Sequence, residues 1–246
     1  MSYERPRFLA AGDRAILVEF GNTISLEIGR QVRRFMLATQ AAQLPGLVEI
    51  VPAYRSLLIY YDPLQISAPE LRQKLRTIEQ EPQKDELPQP TVTEIPTVYG
   101  NQYGPDLEFV AKHNSITSEE VVRLHKSTIY LIYMVGFMAG FAYLGGISPR
   151  IATPRLETPR SRIPAGSVGI AGSQTGVYQA ESPGGWRIIG RTPVNLFDPL
   201  KEPPALLVAG NYVKFVEITA QEFVRIKEEV QQGTYAVKQF RSVREL

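Results

Sequence analysis

Apolar and polar residues alternate, or repeat at helical spacing, through most of the first third of the chain. Arg14–Phe20 (RAILVEF) is rich in β-formers and follows the turn signal Gly12-Asp13, so it predicts a strand. Ser25–Gln40 sets Ile28, Val32, Phe35 and Met36 on one stripe and Arg30, Arg33 and Arg34 off it, the period of a helix with one buried face. Leu47–Val51 and Leu57–Tyr61 read as two apolar strands. Ser67 and Glu70 have capping-box spacing and open a helix through Leu71, Leu75 and Ile78. The order β-α-β-β-α predicts a ferredoxin-like α/β sandwich over residues 1–80, with two helices on one sheet face.

Residues 81–92 break the pattern. Glu81–Pro90 (EPQKDELPQP) holds three prolines, a charged cluster and little apolar material, the composition of a linker. A second domain is expected over residues 93–246, opening with a strand at Thr93–Tyr99. Thr117–Glu120 is another capping box, ahead of Val121, Val122 and Leu124. Short apolar runs then alternate with Gly and Pro at Ile129–Val135, Val168–Ala171, Gly176–Ala180, Trp186–Ile189, Leu206–Val208 and Val213–Glu217. Such runs predict a barrel or sandwich, and Thr219–Glu222 caps a last helix bearing Phe223, Ile226 and Val230. The fold class expected is α+β.

Composition narrows the chemistry. A chain of 246 residues with 43% apolar and 21% charged residues is globular in type and long enough for two cores. A net charge of +2 gives no electrostatic reason to expect nucleic acid or a membrane surface as partner. The absence of cysteine excludes disulfides, thiolate metal sites and a thiol nucleophile. With only His113 and His125, no metal site is expected. The start, MSYERPRFLAAGDR, shows no secretory pattern, so a cytoplasmic location is expected. Thr128–Ile147 carries no charge over 20 residues and includes a GxxxG spacing at Gly136–Gly140. Its tyrosines at 130, 133 and 143 are spread through the run, and glycines at 136, 140, 145 and 146 disfavour a helix, so a buried strand entering a loop is the better reading.

Eleven of the 19 glycines fall between Gly136 and Gly190, with aromatics, five arginines and no lysine, and Arg191 follows directly. This density marks turns, or backbone held close to another strand, a partner or a ligand. Arg150, Arg155, Arg160, Arg162, Arg187 and Arg191 offer planar forks suited to carboxylate or phosphate, or else serve as partners of local acids. His125, at the end of its helix, could be a general base or could simply complement the helix dipole. Ser182–Trp186 (SPGGW) and Ala171–Gly176 (AGSQTG) read either as ligand-facing turns or as turns with self-capping side chains and a buried tryptophan. GxxxxGK[ST], GxGxxG after a strand, HExxH and GxSxG are all missing, which argues against a self-contained ATPase, dehydrogenase, zinc protease or serine hydrolase.

His125, GFMAGFAYLGG, PRLETPRSRIPAGSVGIAGSQTGVYQAESPGGWRIIGRTP and LFDP together resemble one family: the 5-oxoprolinase B subunits, also called the KipI or allophanate hydrolase subunit 1 family. The resemblance runs from GDRAILVEFG to GNYVKF. It implies a C-terminal cyclophilin-like β-barrel and a protein that acts only in company with others. One implied role is in an ATP-dependent 5-oxoprolinase that opens 5-oxoproline to glutamate with LamB/YcsF-like A and KipA-like C subunits. The others are inhibition of a sporulation histidine kinase and a place in a biotin-dependent urea carboxylase, whose biotin and metal this chain is not expected to carry. Carried over by position, His125 and Arg191 are the catalytic candidates. Arg155, Gly140, Gly145, Gly146, Gln174, Thr175, Ser182, Gly184, Gly185 and Trp186 are the candidates for binding substrate or nucleotide. Ala139 stands where the family has proline, and Asn211 where it has aspartate.

Overall fold

In the computed structural model, residues 1–81 and 88–241 are described. The chain divides into two compact units, Met1–Pro88 and Gln89–Leu246. The expected linker falls partly on residues 82–87, outside the described residues, and its last positions, Thr91 and Val92, already belong to a strand.

The N-terminal unit contains β1 (Ser2–Ala10), β2 (Ala15–Gly21), α1 (Leu26–Ala41), β3 (Leu47–Pro52), β4 (Ser56–Tyr61) and α2 (Ala68–Gln80). Its strands form one antiparallel sheet in the order β1-β2-β4-β3. The predicted stripes do the packing: Ile28, Val32 and Phe35 of α1, with Leu71, Leu75 and Ile78 of α2, bury against Ile16, Val18, Leu57 and Ile59. Ser25 and Ser67 cap the two helices by accepting from the amides of Ile28 and Glu70. Hydrophobic patterning gave no sign of β1. Its SYERPRFLA is charged and contains a proline, which suits only an edge strand, and β1 is at the sheet's edge.

The C-terminal unit runs β5 (Thr91–Tyr99), α3 (Leu107–His113), α4 (Ser118–Ser127), β6 (Ile129–Val135), β7 (Ala142–Gly145), β8 (Arg160–Ile163), β9 (Ser167–Ala171) and β10 (Gln174–Tyr178). It continues with β11 (Ser182–Gly184), β12 (Arg187–Arg191), β13 (Tyr212–Glu217), α5 (Ala220–Gln231) and β14 (Gln239–Arg241). Strands pair in the order β12-β9-β10-β7-β6-β13-β5, and β12 returns to β5 through Gly190↔Tyr99 and Arg191↔Val98, closing a seven-stranded barrel. Closure removes the free edges that an open sheet would expose. The remaining pairing surface at the start of β5 takes β14, while β8 and β11 form a separate two-stranded flap. Ile95, Tyr130, Ile132, Leu144, Val168, Ile170, Ile189, Val213 and Phe215 fill the interior.

Two sequence expectations resolve here. The uncharged run Thr128–Ile147 becomes the hairpin β6–β7, and among the described residues no helix is long and apolar enough to cross a membrane. Leu206–Val208 is not a strand. It follows Pro203-Pro204, which lack amide donors for a ladder, and only an isolated bridge, Phe197↔Ala205, forms there; Leu207 instead buries its side chain in the core.

Candidate functional site

His125 shares the inward stripe of α4 with Val121 and Val122, so the helix period that buries two valines also carries the imidazole into the barrel. It has no exposed surface. Its Nδ1 is 2.8 Å from the Tyr99 hydroxyl and its Nε2 is 2.9 Å from Thr175 Oγ1. Thr175 already donates its only hydroxyl proton to Gly169 O at 2.9 Å. Nε2 must therefore carry the imidazole proton and donate to Thr175, while Nδ1 accepts from Tyr99. The Tyr130 hydroxyl donates to the His125 carbonyl at 2.7 Å, and the Phe215 ring lies 4.5 Å from the imidazole. Burial lowers the His125 pKa to about 3 and raises those of Tyr99 and Tyr130. The result is a closed, neutral circuit, and it does not bring His125 to the surface loops where a proton-handling role would need it.

Thr175 and Val177 face the interior; Gly176 and Tyr178, between and beside them on β10, face outward. On that outer side of the wall Phe141, Tyr178 and Trp186 form a buried aromatic cluster, with Trp186 5.6 Å from Phe141 and 6.1 Å from Tyr178, both edge-to-face. Gly176 makes the room: a Cβ there would lie 3.1 Å from Trp186 Cζ3 and 3.1 Å from the Ala142 carbonyl. Gly184 is needed in the same way, because a Cβ would collide with the Tyr178 hydroxyl. Gly140 packs on Phe197 and Gly145 on the Tyr133 ring. Much of the glycine density thus serves the packing of aromatic rings on the barrel wall.

The structure sorts the six arginines. Arg150 pairs with Glu120 at 3.0 Å and Arg162 with Glu181 at 2.7 Å. Arg160 forks onto Asp106 at 2.8 and 2.9 Å, and the same carboxylate accepts the Ile188 amide at 2.6 Å, tying the flap and β12 to the start of α3. Arg187 lies 3.6 Å over the Phe109 ring and donates to the Pro154 carbonyl. Arg155 and Arg191 have no carboxylate partner among the described residues. Arg155 stands 5.9 Å over the Trp186 ring. Its loop is fixed to the SPGGW turn by the Leu156 amide donating to the Gly185 carbonyl at 2.7 Å.

Arg155, Ser182, Gly184, Gly185 and Trp186 are therefore brought together, with the Gly140 loop joined to them through Phe141. Ser182 Oγ is buried without a hydrogen-bond partner. Thr175 belongs to the interior circuit, Gln174 begins β10 beside it, and Gly145 and Gly146 end β7. Arg191 is elsewhere. It is four positions beyond Arg187 on β12, roughly 13 Å along the strand. There it donates to the Ala165 carbonyl at 2.8 Å and lines a groove of about 470 Å³ with Tyr103, Phe223 and Lys227. Asp106 and Tyr99 were absent from the sequence prediction. A buried histidine and an arginine-rich outer face each require polar partners, but spacing does not reveal which residues supply them.

The family model for "Carboxyltransferase domain, subdomain C and D" matches residues 6–207. The chain is similar to the 5-oxoprolinase B subunit of Bacillus subtilis (strain 168), with 44% identity over 232 residues, 89% of this chain and 95% of that protein. It is similar to the crystal structure of TTHA0988 with a TM-score of 0.75 and 37% identity over 84% of this chain, but it spans only 40% of that one. It also matches the Kluyveromyces lactis urea amidolyase structure with a TM-score of 0.81 and 26% identity, covering 96% of this chain and 16% of that protein.

Proposed function

Because the chain belongs to the carboxyltransferase-domain family, subdomains C and D, we propose that it is the B subunit of a 5-oxoprolinase, acting with A and C subunits to open 5-oxoproline to glutamate. The observation that carries this reading is 44% identity to a 5-oxoprolinase B subunit, extending over nearly the whole of both chains. The similarity to urea amidolyase covers a small part of a much longer protein and supports the shared scaffold more than a shared reaction.

Opening the lactam breaks its C–N bond, adds water, and leaves a carboxylate and an amine. What this chain can offer is a surface for the substrate. The exposed Arg155 fork suits the carboxylate of 5-oxoproline, and Trp186, only 4% exposed, backs the guanidinium and leaves the substrate no open ring face. ATP would activate the amide oxygen, but the residues here do not fit a triphosphate. Arg155 and Arg187 stand without an acid among the described residues, but Arg187 is held by the Phe109 ring and the Pro154 carbonyl, and Arg191 is at the far end of β12. We assign ATP to the partner subunits. His125, enclosed and neutral, is assigned to holding β10 against α4, with no proton transfer to substrate.

Finer fold labels belong to the same reading. The barrel is taken as cyclophilin-like. The N-terminal unit is taken as a ferredoxin-like sandwich, with β1 beside β2 in place of a final strand. The test is ATP hydrolysis and glutamate release by this chain mixed with its A and C subunits, with and without 5-oxoproline. Turnover that depends on 5-oxoproline and requires all three chains is expected. Undiminished turnover by the two partners alone would overturn the assignment.

A further inference from the structure

The hairpin tip between β6 and β7 breaks two rules at once. Turn tips are normally built from Gly, Pro, Asn, Asp or Ser, yet Gly136–Gly140 reads GFMAG and contains no polar side chain. The tip is closed by the Gly136 amide donating to the Phe141 carbonyl at 3.0 Å and the Phe141 amide donating to the Met138 carbonyl at 3.1 Å. Within it Phe137 has φ +67 and is 71% exposed. Left-handed backbone is unfavourable for an aromatic residue, although glycine stands on the preceding position and would adopt it freely. The ring touches Phe141 edge-on at 5.8 Å and otherwise faces outward. Phe137 thus costs the isolated chain both strain and apolar exposure, and nothing among the described residues offsets either.

Phe141 joins Phe137 to Trp186, and Trp186 lies beneath Arg155, so the exposed tip and the exposed guanidinium stand at the two ends of one buried aromatic row. A solvent-facing aromatic held in strained backbone is the makeup of a binding hot spot. The relatives indicate what covers it. In TTHA0988 and urea amidolyase the matched region is joined to a long further stretch of polypeptide, whereas in the Bacillus subtilis B subunit it makes up 95% of the protein. What those two proteins carry in one polypeptide is, for the B-subunit relative, left to a separate chain.

Resting on the 5-oxoprolinase reading above, we propose that Phe137 is the anchor by which this chain docks on its KipA-like partner. Its ring enters an apolar pocket of that partner.

The test measures two quantities on the full chain: affinity for the purified KipA-like partner, and the melting temperature of the chain alone. Phe137→Gly and Phe137→Asn both tolerate the left-handed conformation and remove the ring. Each is expected to bind at least thirtyfold more weakly while melting at the same or a higher temperature than wild type. Leu200→Ser, which changes a residue 94% exposed elsewhere, is expected to bind as wild type does. Wild-type affinity in both Phe137 variants would overturn the anchor and leave the 5-oxoprolinase reading standing. A lower melting temperature in both would show that the ring serves the chain itself, and would also overturn the anchor. If wild type showed no binding to the KipA-like partner, the anchor and the 5-oxoprolinase reading would fall together.

Discussion

Thr175 and Gly176 are neighbours on β10 and look to opposite sides of the barrel wall. Inward, Thr175 joins a circuit in which every polar atom of His125 has a partner and no member of the His125–Thr175–Tyr130 set reaches solvent. Outward, Gly176 admits the buried Trp186 ring; Arg155 stands exposed over it without an acid among the described residues, and Phe137 at the hairpin tip is without cover among them. The same motif, SQTGVY, builds both. A satisfied polar network fixes a structure, whereas unsatisfied groups gathered on one surface indicate something still to bind.

The strongest way to break the contrast is to open the interior. His125→Ala removes a wholly buried ring and leaves the Tyr99 hydroxyl without its acceptor, so a loss of about 3–5 kcal/mol is expected from cavity and unmade hydrogen bond together. Chemical denaturation of the isolated chain measures it. A loss below about 1 kcal/mol would mean that the circuit does not hold the barrel together.

Acid should attack the same circuit without mutation. The folded pKa of His125 is about 3, against 6.5 for an unperturbed histidine, so below pH 6.5 the unfolded chain binds a proton that the folded chain refuses. Stability is therefore fully present above pH 6.5 and falls as the pH drops toward 3. At pH 4.5 the difference is about 2–3 kcal/mol. His125→Gln, which has nothing to titrate, should show a shallower decline over that window. Parallel slopes in the two proteins would place the acid sensitivity in other groups.

How far the sequence disclosed this contrast depends on what each signal encodes. Periodicity exposed the stripes of α1, α2 and α5, because burial on one helix face imprints the order of residues directly. Three Ser/Thr caps were legible for the same reason, although only Thr219–Glu222 closes as a reciprocal box; Glu120 turns to Arg123 and Arg150 instead. β1 was hidden by its charges, and β8, β11 and β14 by their length of three or four residues. The glycine-rich segment was visible, but whether a glycine serves a ring or a ligand depends on what stands opposite, and spacing does not record that. The family motifs placed Arg155 beside Trp186, yet they also grouped Arg191 with His125, which the barrel sets on different surfaces.

A smaller perturbation acts at the wall itself. Gly176→Ala puts a methyl 3.1 Å from both Trp186 Cζ3 and a backbone carbonyl, tighter than normal contact against a ring already packed between Phe141 and Tyr178. A loss of about 1–2 kcal/mol is expected, with tryptophan fluorescence shifted as the ring moves outward. Unchanged fluorescence and stability would mean that the cluster is loosely packed and does not fix the ring beneath Arg155.

The mildest test leaves the fold alone and separates the two uncommitted arginines. Arg155 makes no ion pair among the described residues and rests on Trp186, so Arg155→Ala should alter monomer stability by no more than about 0.5 kcal/mol. In the assembled enzyme it should raise KM for 5-oxoproline about tenfold, the loss of one charge-assisted contact. Arg155→Lys should fall between, since an ammonium keeps the charge and loses the fork. Arg191, in its own groove with Tyr103 and Lys227, should leave that KM unchanged when replaced by alanine, whatever it does to turnover. Equal KM changes in the two variants would mean that partner subunits fold the two ends of β12 into one site. The outer surface would then have to be read as half of a pocket completed by another chain.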